Sequence, residues 1–203
     1  MKVSVLFSGG KDSSLSALLL EPFFEVELVT CNFGLLPTGE IAAKTAKELH
    51  FPHRTVSLDR EILEKAYELL LRDGFPPRSA INYIHGRAVE TLALDPAVKL
   101  IADGTRRDDR VPVLSISQIR SIEDRLGVQY FCPPLKGYGK KVVDSLVRSY
   151  LNIEQGGPSE STQKADYETE LRELIRQRQG DERIRELFPV HFQSHVLSRK
   201  KFP

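Results

Sequence analysis

The run Lys2-Val-Ser-Val-Leu-Phe7 leads straight into Ser8-Gly-Gly-Lys-Asp-Ser13, and an amphipathic segment, Ser14 to Leu20, follows with no spacer. Apolar alternation predicts a strand, the Gly pair a tight turn, and the next segment a helix that starts at the turn. At such a junction consecutive backbone N–H groups and the positive end of a helix dipole converge on one point, which suits a phosphate. Gly9 and Gly10 let the backbone approach an anion with no Cβ in the way. Ser8 and Ser13 offer hydroxyl donors and Lys11 a cation, while Asp12 can hold a divalent metal against the same phosphates.

Two common phosphate loops do not fit. The Walker A pattern needs Ser or Thr after Gly-Lys and an earlier Gly, whereas Asp12 follows Lys11 and Val5 stands at the first Gly position. Gly-x-Gly-x-x-Gly fails because only Gly9 and Gly10 are present. Ser-Gly-Gly-x-Asp-Ser after a first strand resembles the PP-loop of the N-type ATP pyrophosphatase superfamily. GMP, NAD and asparagine synthetases, tRNA-lysidine synthetases and tRNA thiolation enzymes belong to it. The resemblance covers residues 1–151. It implies a five-stranded parallel sheet in the order 3-2-1-4-5 with helices on both faces, and ATP and Mg²⁺ as cofactors. The implied chemistry is attack of a substrate oxygen on the α-phosphorus of ATP, release of pyrophosphate, and displacement of AMP by nitrogen or sulfur.

The periodicity of the chain agrees with an α/β class. Strand patterns at Val26–Phe33, His53–Leu58, Lys99–Asp103 and Val128–Cys132 alternate with helical patterns at Thr38–Leu49, Glu61–Leu71, Asn82–Leu94, Ser117–Leu126 and Gly139–Leu151. Thr38 and Asp59 are the expected N-caps, Gly74 and Gly127 the expected stops. Right-handed βαβ crossovers make such a sheet parallel and covered on both faces. Ligands then bind at the carboxyl ends of the strands, which gathers 8–13, 31–33, 103–107 and 132–135 on one rim. Gln155–Gln163 is rich in Gly, Ser and Pro, so residues 152–166 are expected as a linker. A helical extension with a basic tail follows at 167–203, with helix Tyr167–Gln179 and a short helix ending before Pro189.

Several rim segments carry further chemistry. Asp103-Gly-Thr-Arg-Arg-Asp-Asp109 resembles the Gly-His-x-x-Asp-Asp segment of tRNA-lysidine synthetases, with Thr105 in the His position. Asp12, Asp108 and Asp109 are the expected Mg²⁺ ligands, with Asp103 as an alternative. Arg106, Arg107 and Arg110 suit phosphate or a charged second substrate. Pro134-Leu-Lys136 resembles the run after the last strand in PP-loop enzymes, and Lys136, with Lys11 and Asp12, is an expected catalytic residue. Lys140 is a further candidate for a phosphate contact. Arg87, five residues after Asn82, resembles a basic position of NAD synthetases and tRNA thiolases and is expected to reach the nucleotide. Ile81 replaces the Cys that precedes the Asn in the thiolases. Adenine and ribose are expected near Thr30, Cys31, Asn32, Phe33 and Gly104. Cys31 and Cys132 are expected as buried thiols, since strands 2 and 5 would lie about 14 Å apart.

The second substrate is open at this level. Net charge is +1, so any polyanion must be met by a local patch. Val190–Pro203 contains no acid but has His191, His195, Arg199, Lys200 and Lys201. It is either a solvated end or a segment that returns to the rim and contacts a tRNA base. A tRNA acceptor and a small metabolite are both retained, with a nitrogen or sulfur donor protein as a further partner and a homo-oligomer as the expected assembly. A non-catalytic nucleotide-binding regulator is the alternative from another class. No apolar run of about 18 residues predicts a membrane span, and the expected location is cytoplasmic.

Overall fold

The computed structural model describes residues 1–130, 134–158, 165–188 and 192–200. Strands β1 (Lys2–Leu6), β2 (Glu25–Asn32), β3 (His53–Ser57), β4 (Leu100–Ala102) and β5 (Gln129–Tyr130) form one sheet in the order β3-β2-β1-β4-β5. Every pairing in it is parallel, with Val5 beside Leu28 and Ser4 beside Ile101. The expected order and class hold. The Gly-rich loop leaves the central strand where the strand order reverses, so loop and switch point coincide.

Because side chains alternate along a strand, each strand feeds both faces. Leu6, Val29, Cys31 and Ile101 pack with α3 (Arg60–Asp73), α4 (Arg78–Ala93) and α5 (Ile116–Leu126). Val3, Val5, Leu28, Leu100 and Ala102 pack on the opposite face with α1 (Lys11–Leu20), α2 (Thr38–Glu48) and α6 (Lys140–Tyr150). Asp59 caps α3 by accepting from the Glu61 N–H at 2.9 Å, and Gly74 ends that helix. A capping box of Ser115 and Gln118 opens α5, and Gly127 closes it in the left-handed region at φ 64°. Thr38 is not a cap: Pro37 holds that position, and Thr38 is the first helical residue with its hydroxyl buried and unpartnered.

The C-terminal quarter departs from the expected linker and tail. Leu151–Pro158 is strand β6 and Phe192–Arg199 is strand β7, and the two pair antiparallel. Val196 and Leu151 are buried on the α1/α2/α6 side. Arg199 forks onto Glu21 at 2.8 and 2.9 Å, donates to the Leu49 carbonyl, and stacks over Phe51. These partners stand at the far ends of α1 and α2, so β7 closes against the molecule away from the Gly-rich loop. Polar composition hides the strands because only one side of the β6–β7 pair meets apolar atoms. His191 and Lys201, like Cys132, lie outside the described residues.

Helices α7 (Tyr167–Gln179) and α8 (Asp181–Leu187) join the other face, through Leu171, Leu174, Ile175, Ile184 and Phe188. Glu170 fastens α7 to the rim. It is 1% exposed and accepts from the backbone N–H groups of Phe33, Leu35 and Leu36 at 2.8, 2.9 and 3.4 Å. Burial pushes the Glu170 carboxyl up and outweighs these amides, which pull it down. Glu170→Ala leaves buried donors unpaired and should cost about 1–3 kcal/mol in urea unfolding. Amide hydrogen exchange at Phe33 and Leu35 should accelerate first.

Candidate functional site

The turn between β1 and α1 takes its shape from a few local choices. Gly9 has φ 73°, where an L side chain is strained, and Gly10 is the N-cap of α1 with no side chain bonding the first-turn amides. The Ser13 hydroxyl donates to the Gly10 carbonyl at 3.2 Å and lies 3.4 Å from both the Ser8 N–H and the Ser8 hydroxyl. Lys11 sits between Asp12 at 2.7 Å and Asp144 of α6 at 3.0 Å. The loop therefore displays backbone donors, two hydroxyls, one ammonium and one carboxylate at a helix start.

Gly104 sets the opposite wall. A Cβ there would lie 2.5 Å from the Ser13 nitrogen and 2.8 Å from the Asp12 carbonyl carbon. The end of β4 thus touches the backbone of the first turn of α1, which only Gly allows. The Ser16 hydroxyl adds a 2.7 Å bond to the Asp103 carbonyl across the same seam.

Between these walls is a cavity of about 360 Å³. Leu6, Phe7, Val29 and Cys31 come from the strands, Ile81 and His85 from α4, Val111 and Pro112 from the following loop. Ser8, Asp12, Ser13, Gly104 and Asp109 form its polar side, and residues 165–168 close it where the chain enters α7. At its floor is a buried polar network. Asp103 is 3% exposed and accepts from the Thr105 N–H and hydroxyl, both at 2.8 Å, and from the Tyr130 hydroxyl. His85 Nε2 lies 3.0 Å from the same carboxylate, while His85 Nδ1 has no partner. Burial opposes the Asp103 charge, yet the bonds from His85, Tyr130 and Thr105 prevail and hold the carboxyl below its usual range. Burial pushes Cys31 up to about 12, so it is held as a neutral thiol.

Not every expected residue reaches this place. Ser8, Gly9, Gly10, Lys11, Asp12 and Ser13 share the turn, and Cys31 and Gly104 line the cavity. Thr30 is turned to the other face of the sheet by strand alternation, and its hydroxyl bonds the Phe7 carbonyl at 2.7 Å and His53 at 2.9 Å. Asn32 and Phe33 follow just beyond, outside the cavity lining, and the Phe33 amide is held by Glu170. Arg87 is not brought to the site: it pairs with Glu90 and lines a separate groove between α4 and α5. Asp108 caps α6 through the Lys140 N–H at 2.8 Å, and Asp109 holds Arg106. Lys136 is half-buried in the loop before α6, which is tied to the acidic segment by the Arg107 N–H on the Tyr138 carbonyl at 3.1 Å. Among the described residues no three His, Cys, Asp or Glu side chains group as metal ligands. His85, Tyr130 and Tyr167 are site residues that sequence reading passed over. The available signal was His85 itself, a polar residue on the apolar stripe Ile81, Ile84, Ala88 and Val89 of α4.

A family model described as "Family of unknown function (DUF7411)" matches residues 1–198. The chain belongs to the DUF7411 family. This DUF7411 protein is 43% identical over 202 residues to the uncharacterized protein MJ0690 of Methanocaldococcus jannaschii, covering 99% of this chain and 98% of that one. It is 29% identical over 199 residues to the tRNA-specific 2-thiouridylase MnmA of Syntrophomonas wolfei subsp. wolfei, covering 87% of this chain. It spans 58% of that thiouridylase's length. A crystal structure of a predicted subunit of tRNA methyltransferase from Methanocaldococcus jannaschii superposes with a TM-score of 0.89 at 41% identity, with both chains covered completely.

Two outcomes follow from the geometry. Gly104→Ala should lose about 1–3 kcal/mol in urea unfolding, because neither backbone can recede without opening the cavity. The folded pKa of Asp103 lies below its ordinary value of 3.8, so its contribution to stability is present above that pH and is lost as pH falls through the folded pKa. Asp103→Asn should therefore flatten the acid limb of a melting-temperature profile relative to the native chain.

Proposed function

We propose that this DUF7411 protein binds ATP and adenylates an acceptor with release of pyrophosphate, the acceptor being a tRNA base. The observation that carries the reading is the uncapped start of α1, with Ser8, Lys11, Asp12 and Ser13, opening onto the cavity at the switch point of a parallel sheet. Triphosphate on the turn leaves the cavity for adenine, between Leu6 and Val29 on one side and Val111 on the other.

The residues also fit a magnesium ion. Magnesium is held by one or two carboxylates plus phosphate oxygens, so it does not need a closed protein cage. Asp12 beside the turn supplies one carboxylate and Asp109 lines the same cavity. Held there by Asp12 and Asp109, such an ion would neutralise charge on the departing pyrophosphate. Lys11 holds an oxygen of the leaving group, and the Ser8 and Ser13 hydroxyls and first-turn amides orient the phosphates for in-line attack. The acceptor oxygen forms the new bond to the α-phosphorus as the bond to the β-phosphate oxygen breaks, and pyrophosphate leaves with that electron pair. A nitrogen or sulfur donor, free or delivered by a partner protein, then displaces AMP.

A tRNA acceptor draws support from the names of two relatives, one a tRNA-specific 2-thiouridylase and one a predicted subunit of tRNA methyltransferase. It also suits Arg107, Arg110, Lys140 and Lys141, which are exposed around the loops beside the turn. Each would meet a phosphate, and binding would weaken as salt rises.

The test is pyrophosphate release from ATP and Mg²⁺ with and without bulk tRNA. We expect tRNA to stimulate release and Asp12→Asn to slow it about a hundredfold while leaving the thermal melt in place. Absence of ATP binding by calorimetry would refute the reading, and stimulation by a metabolite extract in place of tRNA would refute the acceptor.

A further inference from the structure

Among the described residues two buried side-chain polar atoms lack any partner, Thr38 Oγ1 and His85 Nδ1, and of these residues only His85 lines the cavity. Its ring is 3% exposed and cannot turn freely. Nε2 is committed to Asp103 at 3.0 Å, and the Tyr130 hydroxyl lies 3.4 Å from the same nitrogen. The Tyr167 ring stands 6.1 Å away, tilted by 56°.

This arrangement decides the tautomer. A carboxylate oxygen only accepts, so in the neutral imidazole the proton sits on Nε2 and donates to Asp103. Thr105 and Tyr130 donate to that carboxylate as well, and none of its partners competes for the proton. Nδ1 is left as a bare, buried acceptor in a residue that lines the cavity together with the apolar Leu6, Val29, Ile81, Val111 and Pro112. A buried acceptor without a donor costs free energy until something donates to it.

We infer that His85 is the specificity residue of the cavity, its Nδ1 accepting a hydrogen bond from the exocyclic amino group of a bound adenine. The inference rests on the nucleotide reading above and goes beyond it, because it assigns base selection to a side chain of α4. Apolar walls suit the flat faces of any purine, so they do not discriminate between bases. A lone acceptor does discriminate, since a 6-amino group donates and a 6-oxo group does not. Asp103, Tyr130 and Thr105 act behind His85 as positioning residues.

The experiment compares calorimetric binding of ATP with that of purine riboside triphosphate, which carries hydrogen in place of the 6-amino group. The native chain should prefer ATP by about tenfold, the worth of one buried hydrogen bond. His85→Gln keeps an amide donor near Asp103 but removes the acceptor, and should bind both nucleotides equally. His85→Asn places an amide oxygen near the Nδ1 position, and should recover the preference for ATP even where it melts earlier. No preference in the native chain, or an unchanged preference in His85→Gln, overturns the inference and leaves the nucleotide reading standing. Failure of the native chain to bind either nucleotide overturns both.

Discussion

The end of β4 and the first turn of α1 meet backbone to backbone, and the arrangement of the rim depends on that contact. Gly104 permits it, and Ser16 bonds across it to the Asp103 carbonyl. With the seam closed, the Gly-rich turn and the Asp103 network belong to one wall. Loop amides gain directional value only when they cannot recede from a ligand, and here the neighbouring strand holds them in place. The same seam puts the floor of the cavity beside the turn, so a ligand can meet the loop at one end and the buried network at the other.

The cavity owes its closure to the last quarter of the chain. The β6–β7 pair lies on the α1/α2/α6 face, and α7 and α8, which lie between the two strands in the chain, lie on the opposite one. A chain that visits both faces must pass an edge or rim of the sheet, and residues 165–168 line the cavity at this crossing. Glu170 then locks α7 by accepting from amides just beyond β2. Within α7, Arg172 donates to Glu168 at 2.8 Å, and its guanidinium stacks over Phe188 beyond α8. A carboxylate from the extension therefore satisfies the backbone amides just beyond β2 and fixes α7 against the rim.

The acidic segment after β4 illustrates how one motif divides its labour. Asp103 is buried in the network, Asp108 caps α6, and Asp109 holds Arg106 while still lining the cavity. Arg106 in turn reaches within 3.7 Å of Asp12 on the turn. The pattern of acids and arginines therefore builds the bridge between β4, α6 and the Gly-rich loop.

Local chemistry was enough to read much of this from the sequence. Alternation of strand and helix periods set the parallel class, and capping residues such as Asp59 and Gly127 marked helix ends, because those signals act between residues a few positions apart. The turn from Ser8 to Ser13 was legible for the same reason: strand, Gly pair and helix start are contiguous. What only the tertiary structure decided involves residues far apart in the chain. Gly104 needs the backbone of Ser13, Glu170 needs the amides of Phe33 and Leu35, and Arg199 needs Glu21. No periodicity records such partners. Residues 152–158 and Phe192–Arg199 read as linker and tail because a two-stranded sheet with one wet side carries a weak pattern, and its stability comes from the helices beneath it. His85 shows the same limit: its place on an apolar stripe marks it as buried, but its Nε2 is committed, and its Nδ1 left over, only because Asp103 arrives from the end of β4 and Tyr130 from β5.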